Sequence, residues 1–161
     1  LSSSSAASDV YKRQASGIQG MVGGQVHDMA GEHQALSLSA LTEMHALKTG
    51  ALIEFSAASA AIIANNQRVE PLLRSFGAQL GLAFQVQDDI LDETSSTETL
   101  GKQQGSDRAQ AKSTFVSLLG LEAAQNHLAD LMKTALNLLQ QSQLETDNLR
   151  ALVHYIVERK H

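Results

Sequence analysis

The sequence predicts an all-α fold, a helical bundle without a sheet. Three observations predict it. The chain has one proline and only six aromatic residues, four Phe and two Tyr, against much Ala, Leu and Gln, which are helix formers. No stretch alternates apolar and polar residues at the period of two that a half-buried strand requires. Apolar residues recur instead at helical spacing, and 161 residues with a 43% hydrophobic share suffice for one domain with its own core.

Composition also narrows the function. There is no cysteine, so disulfides and thiolate-bound zinc are excluded. A net charge of −5 opposes non-specific nucleic-acid binding. The longest apolar stretch, ALIEFSAASAAIIA at 51–64, is too short to span a bilayer and contains Glu54. With no membrane span and no signal peptide in view, a cytoplasmic protein is expected.

Residues 1–14, LSSSSAASDVYKRQ, begin with Leu and are serine-rich. They are expected to be a non-native or disordered tail, with the domain proper at 15–161. Its first helix is expected at 15–30, with Ile18, Met21, Val22 and Met29 on one face. Ser37 or Ser39 can cap the second, at 39–64, which Gly50 should kink. Pro71 suits the first turn of a third, at 69–93. TSSTETLGKQQGSD is a polar loop. Short and long helices follow at 107–119 and 121–142, separated by Gly120, and a last one at 146–160.

The third helix raises a question of charge. It ends in FQVQDDILD, so Asp88, Asp89 and Asp92 crowd its last turns. At about 100° per residue, Asp92 lies about 40° from Asp88 and Asp89 about 100° away, all on one broad face. Gln85 sits below them, and then Gly81 and Gly77, which serve either close helix packing or a substrate groove. Carboxylates at a helix C-terminus oppose the macrodipole and repel one another. Either the cluster is solvated or a cation compensates it, and Mg²⁺ shared with phosphate oxygens suits the spacing.

A second anomaly is Lys48 in MHALKTGALIEF, on the stripe formed by Leu41, Met44, Leu52 and Phe55. Such a lysine snorkels to water or faces an anion. Thr49 adds a hydroxyl beside it. Gln25, among Ile18, Met21, Val22 and Met29 with Asp28 at the edge, needs partners if buried. Lys102 and Lys112 are ordinary taken singly, and His45 reads as packing or surface. Taken jointly, these residues suggest a cavity with a polar, metal-bearing mouth and an apolar interior, suited to a diphosphate with a hydrocarbon tail.

GMVGGQVHDM, HALKTGALI, GLAFQVQDDILD and TLGKQQGSDRAQAKSTF resemble the C-terminal half of trans-isoprenyl diphosphate synthases, above all the bacterial farnesyl diphosphate synthases (geranyltranstransferases). The resemblance covers Ala15 to His161. It implies an incomplete isoprenoid synthase-type bundle. It implies a prenyltransferase that condenses isopentenyl diphosphate with an allylic diphosphate, dimethylallyl or geranyl, to give farnesyl diphosphate.

On this resemblance Asp88, Asp89 and Asp92 form the second aspartate-rich motif, and Asp88 and Asp92 hold Mg²⁺, the latter through water. Lys48 and Thr49 bind the allylic diphosphate beside Gln85 and Lys102, with Lys112 a further basic position. Gln25 and Asp28 belong to the cavity wall, and Lys48 and the three aspartates form the catalytic set. The full-length parent is expected to be a homodimer. The first aspartate-rich motif and the isopentenyl diphosphate site are absent from these residues. The chain alone should therefore turn over little and should expose apolar faces made for missing helices. Phe115 and Val116 stand where close relatives carry tyrosine and proline. A class I terpene cyclase relative and a non-catalytic helical interaction module are the competing readings.

Overall fold

The computed structural model describes residues 3–32, 34–95 and 112–159, and all regular structure among them is helical. Helices α1 (Ser3–Ser16), α2 (Met21–Gly31), α3 (Leu38–His45) and α4 (Ala51–Ile63) are followed by the long α5 (Glu70–Thr94). The short α6 (Phe115–Leu119), α7 (Leu121–Ser142) and α8 (Asp147–Glu158) complete the chain.

Helix α5 is the axis of the bundle. It packs against α4 on one side and α7 on the other, and most of its residues are buried or half-buried, as expected of a helix with neighbours on several sides. Two core clusters flank it. One gathers Leu41, Met44, Val86, Ile90 and Phe115 with α7; the other gathers Val69, Leu73, Phe76 and Leu80 with α7 and α8.

The local stop and start signals act as expected. The Ser37 side chain accepts from Ala40 N at the start of α3, Pro71 lies in the first turn of α5, and Gly120, at φ 84°, separates α6 from α7. One boundary differs. Residues 112–114 are not helical; Thr114 and Ser117 form a capping box and start α6 at Phe115. The rest of the expected 107–119 helix, like Lys102, lies outside the described residues.

Three other findings depart from the sequence reading. Helix α1 takes in most of the 1–14 stretch expected as a non-native or disordered tail, so that stretch is ordered where it is described; it packs along α4, and its Tyr11 ring lies 4.5 Å from the Arg74 guanidinium carbon. The apolar residues of α2 face outward: Val22 is 45% and Met29 62% exposed, Gln25 is exposed with them, and Ile18, just before the helix, is 82% exposed. The inward face belongs to glycine, because a Cβ on Gly24 would stand 2.1 Å from Lys48 N. Finally, the kink at Gly50 is a π-helical segment, Ala46–Gly50, so residues 38–63 run as one helical rod. By length and composition that rod is long and apolar enough to cross a bilayer, which the shorter 51–64 stretch is not. Of its charged residues, Lys48 and Glu54 are paired, with Asp28 and Arg74.

Gly77 and Gly81 also serve packing. A Cβ on Gly77 would stand 2.6 Å from Glu54 Cα, and one on Gly81 would stand 2.9 Å from Gly50 Cα. The glycine face of α5 is therefore the seat of the rod that carries Lys48.

Candidate functional site

That close seating sets the site. A π turn holds about one residue more than an α turn, so it shifts the phase of the residues beyond it, and such turns favour functional positions. Lys48 lies within this turn, and its Nζ donates to Asp28 Oδ2 of α2 at 2.6 Å. Of the two alternatives the sequence left for Lys48, water or an anion, the structure shows an anion, and it is a protein carboxylate. Burial alone would raise the Asp28 pKa; the Lys48 ammonium, with smaller contributions from Lys112 and His45, outweighs it and holds the group below its ordinary value.

Lys48 and Asp28 open onto a cavity of about 300 Å³ shared with Gln85, Asp88, Asp89 and Lys112. Six of the sequence-selected residues thus converge from α2, the π segment, α5 and the approach to α6. Thr49, Gln25 and Asp92 do not line it, and Asp92 is buried.

The three aspartates, grouped on one face by helical geometry, diverge in environment. The Asp88 side chain is 45% exposed at the mouth, with Oδ2 3.5 Å from the Gln85 amide nitrogen. Asp89 is buried, and its Oδ2 accepts the Phe115 N–H at 2.7 Å. It therefore tethers α6 to α5 and holds Lys112 and Thr114 at the cavity.

Two residues the sequence did not single out join this site. Arg159, just beyond α8, donates to Asp88 Oδ1 and to the Phe84 carbonyl, and its guanidinium lies over the Phe84 ring at 4.0 Å. It supplies positive charge to the acidic end of α5. The macrodipole argument demanded such a charge, yet nothing in the sequence pointed to a residue 71 positions away. His45, read as packing or surface, lines the cavity and stacks on Phe115 at 5.8 Å. Burial first, then the Lys48 charge, push its pKa from 6.5 to about 4, against the opposing pull of Asp28 and Gln85.

His45 has a consequence for acid stability. Between pH 6.5 and about 4 the unfolded chain binds a proton at this residue that the fold excludes. Its contribution is complete above pH 6.5 and is lost as pH falls toward 4, on the order of 3 kcal/mol. Urea midpoints should fall over this window, and less steeply in His45→Phe, which can keep the ring stack. An unchanged slope in that variant would remove His45 as the cause.

Asp28, Glu32, Asp88 and Asp89 line the cavity against Lys48 and Lys112, four formal negative charges against two positive, or three with the Arg159 guanidinium on Asp88. A free polyanion meets net repulsion there, whereas an anion accompanied by a divalent cation does not. Among the described residues no three acidic or histidine side chains cluster as a self-sufficient metal cage. The residues fit a hard cation that takes one carboxylate here and its remaining oxygens from phosphate and water.

A family model described as polyprenyl synthetase matches residues 1–156. The chain belongs to this family. It is 48% identical over 146 residues to the farnesyl diphosphate synthase of Micrococcus luteus, covering 90% of this chain and 50% of that protein. It is 36% identical over 152 residues to geranylgeranyl pyrophosphate synthase 4 of Arabidopsis thaliana, covering 90% and 40%. Among solved structures, the geranyltransferase from Helicobacter pylori complexed with magnesium and isoprenyl diphosphate superposes with a TM-score of 0.80 at 33% identity, covering 98% of this chain and 52% of that one. The chain spans about half the length of the curated relatives it matches.

Proposed function

We propose that residues 15–161 form the C-terminal part of a cytoplasmic, homodimeric prenyltransferase that condenses isopentenyl diphosphate with an allylic diphosphate to give farnesyl diphosphate, and that this part binds the allylic diphosphate with Mg²⁺. The observation that carries the reading is the convergence of Lys48, Lys112, Gln85 and Asp88 on one cavity whose own charge is negative. Family membership and the activities for which the relatives are named support it. Farnesyl as the product follows the Micrococcus luteus relative, 48% identical, which is named for that activity.

Asp88 would hold the metal directly; the water-mediated role of Asp92 rests on the family motif alone, since Asp92 is buried one turn on and does not line the cavity. Bound Mg²⁺ would supply positive charge to the departing pyrophosphate. Lys48 and Lys112 place ammonium groups where the same charge develops, and Lys102 joins them on the strength of the family motif. Asp28 orients Lys48 and lowers its conformational freedom. Gln85 offers an amide donor beside Asp88. Thr49 and Gln25 do not line the cavity, and Gln25 is exposed on the outer face of α2, so their roles rest on the family motif alone. Fixed dipoles and charges of this kind assist ionisation because they need no reorganisation as the bond breaks.

Calorimetry with inorganic pyrophosphate tests the reading on this chain. Binding should require Mg²⁺ and should weaken about tenfold or more in Lys48→Ala. Metal-independent binding, or wild-type affinity in that variant, would refute it. A radiolabelled condensation assay on the chain alone should show little turnover, since the relatives are about twice as long.

A further inference from the structure

Arg159 is docked more tightly than a terminal arginine needs to be, yet incompletely. Its side chain is 9% exposed, against 45% for its partner Asp88. One nitrogen, Nη2, serves both Asp88 and the Phe84 carbonyl, while Nε is buried without a hydrogen-bond partner. A stranded buried donor costs free energy that is recovered when the group reaches water. The guanidinium is thus held by charge and by the Phe84 ring, in a slot that does not satisfy it.

The chain around it permits release. Arg159 follows the last helical residue of α8, with an extended backbone. The helix itself is anchored by buried Val153 and Ile156 and by the Gln87 amide, which donates to the Val157 carbonyl at 3.1 Å. The guanidinium can leave while α8 stays. Its position at Asp88 Oδ1 is also one that a cation bound to Asp88 contests, through competition for the same carboxylate and through like-charge repulsion.

We propose that Arg159 is a positioning residue that substitutes for the metal: it holds the Asp88 carboxylate while the cavity is empty and is released from it when a metal–diphosphate binds. The acidic end of α5 is then compensated in both states, by one positive charge before binding and by the dication after. This proposal rests on the diphosphate reading of the cavity.

The test uses the 161-residue chain, Mg²⁺ and inorganic pyrophosphate. Arg159→Gln removes the competitor and should bind Mg²⁺–pyrophosphate about two- to fivefold tighter than the wild type. In nitrogen-15 spectra the Arg159 Nε–H, shielded in the free wild type, should become solvent-exchanging at saturation. Without ligand, Asp88→Asn should produce the same loss of protection. Unchanged or weaker binding by Arg159→Gln, or an Nε–H that stays protected in the saturated complex or in Asp88→Asn, overturns the proposal. Failure of both wild type and Arg159→Gln to bind pyrophosphate instead defeats the diphosphate reading, and the release with it.

Discussion

Gly24→Ala should lower the unfolding midpoint, and it should impair pyrophosphate binding as well. The added Cβ would stand 2.1 Å from Lys48 N and 2.5 Å from Lys48 Cα. Both are backbone atoms of a helix seated on α5, so no rotamer change relieves the overlap and α2 must move away. Overpacking of this kind costs about 1–3 kcal/mol when side chains can adjust, and here the larger end of that range or more applies. For a chain of this size that is roughly a 10 °C loss in Tm. Displacing α2 also draws Asp28 from Lys48, removing the contact that orients the ammonium. Gly50→Ala is the comparison: its Cβ would meet nothing nearer than 3.5 Å, and it replaces glycine in a helix, so it should be neutral or stabilising. Equal midpoints for the two variants would mean that α2 does not depend on the glycine contact.

The same contact explains which parts of the fold were legible. Ser37, Pro71 and Gly120 act on their own few residues, and those boundaries followed from chemistry that needs no tertiary information. The face of α2 did not. Hydrophobic periodicity placed Ile18, Met21, Val22 and Met29 inside, but the partner of α2 is a backbone that admits only Gly24 and Asp28, so the small residues point inward and the large ones outward. Gly50 was legible as an irregularity, though not as a π turn, because the extra residue is set by how the rod seats on Gly77 and Gly81. Lys48 lies within that turn and pairs with Asp28. In the site, the acidic cluster announced a need for positive charge, and the physics of that need was right. The arginine that meets it reaches Asp88 from 71 residues away, a distance no local pattern records. His45 was discounted because a lone histidine carries no spacing signal; its burial comes from Phe115, on an element brought in by Asp89.

Asp88 and Asp89, adjacent in sequence and joined by family resemblance in one motif, should separate under mutation. Asp88→Asn should leave the unfolding midpoint within about 1 kcal/mol of wild type, since the carboxylate it replaces pairs with Arg159 while lying half in water. It should nonetheless cost about tenfold or more in Mg²⁺–pyrophosphate affinity. Asp89→Ala should do the reverse first: it strands the buried Phe115 N–H, bound at 2.7 Å, and a buried donor left without its acceptor costs about 1–3 kcal/mol. It also loosens the segment that presents Lys112, so binding falls as a consequence of lost structure. Asp89→Asn distinguishes structure from charge, because it keeps an oxygen able to accept the Phe115 N–H while removing the negative charge. If the role of Asp89 is the tether, Asp89→Asn should retain most of the stability and bind Mg²⁺–pyrophosphate within about threefold of wild type. If it loses affinity as Asp88→Asn does while staying folded, the charge of Asp89 itself acts on the metal–diphosphate, and the tether is only part of its role.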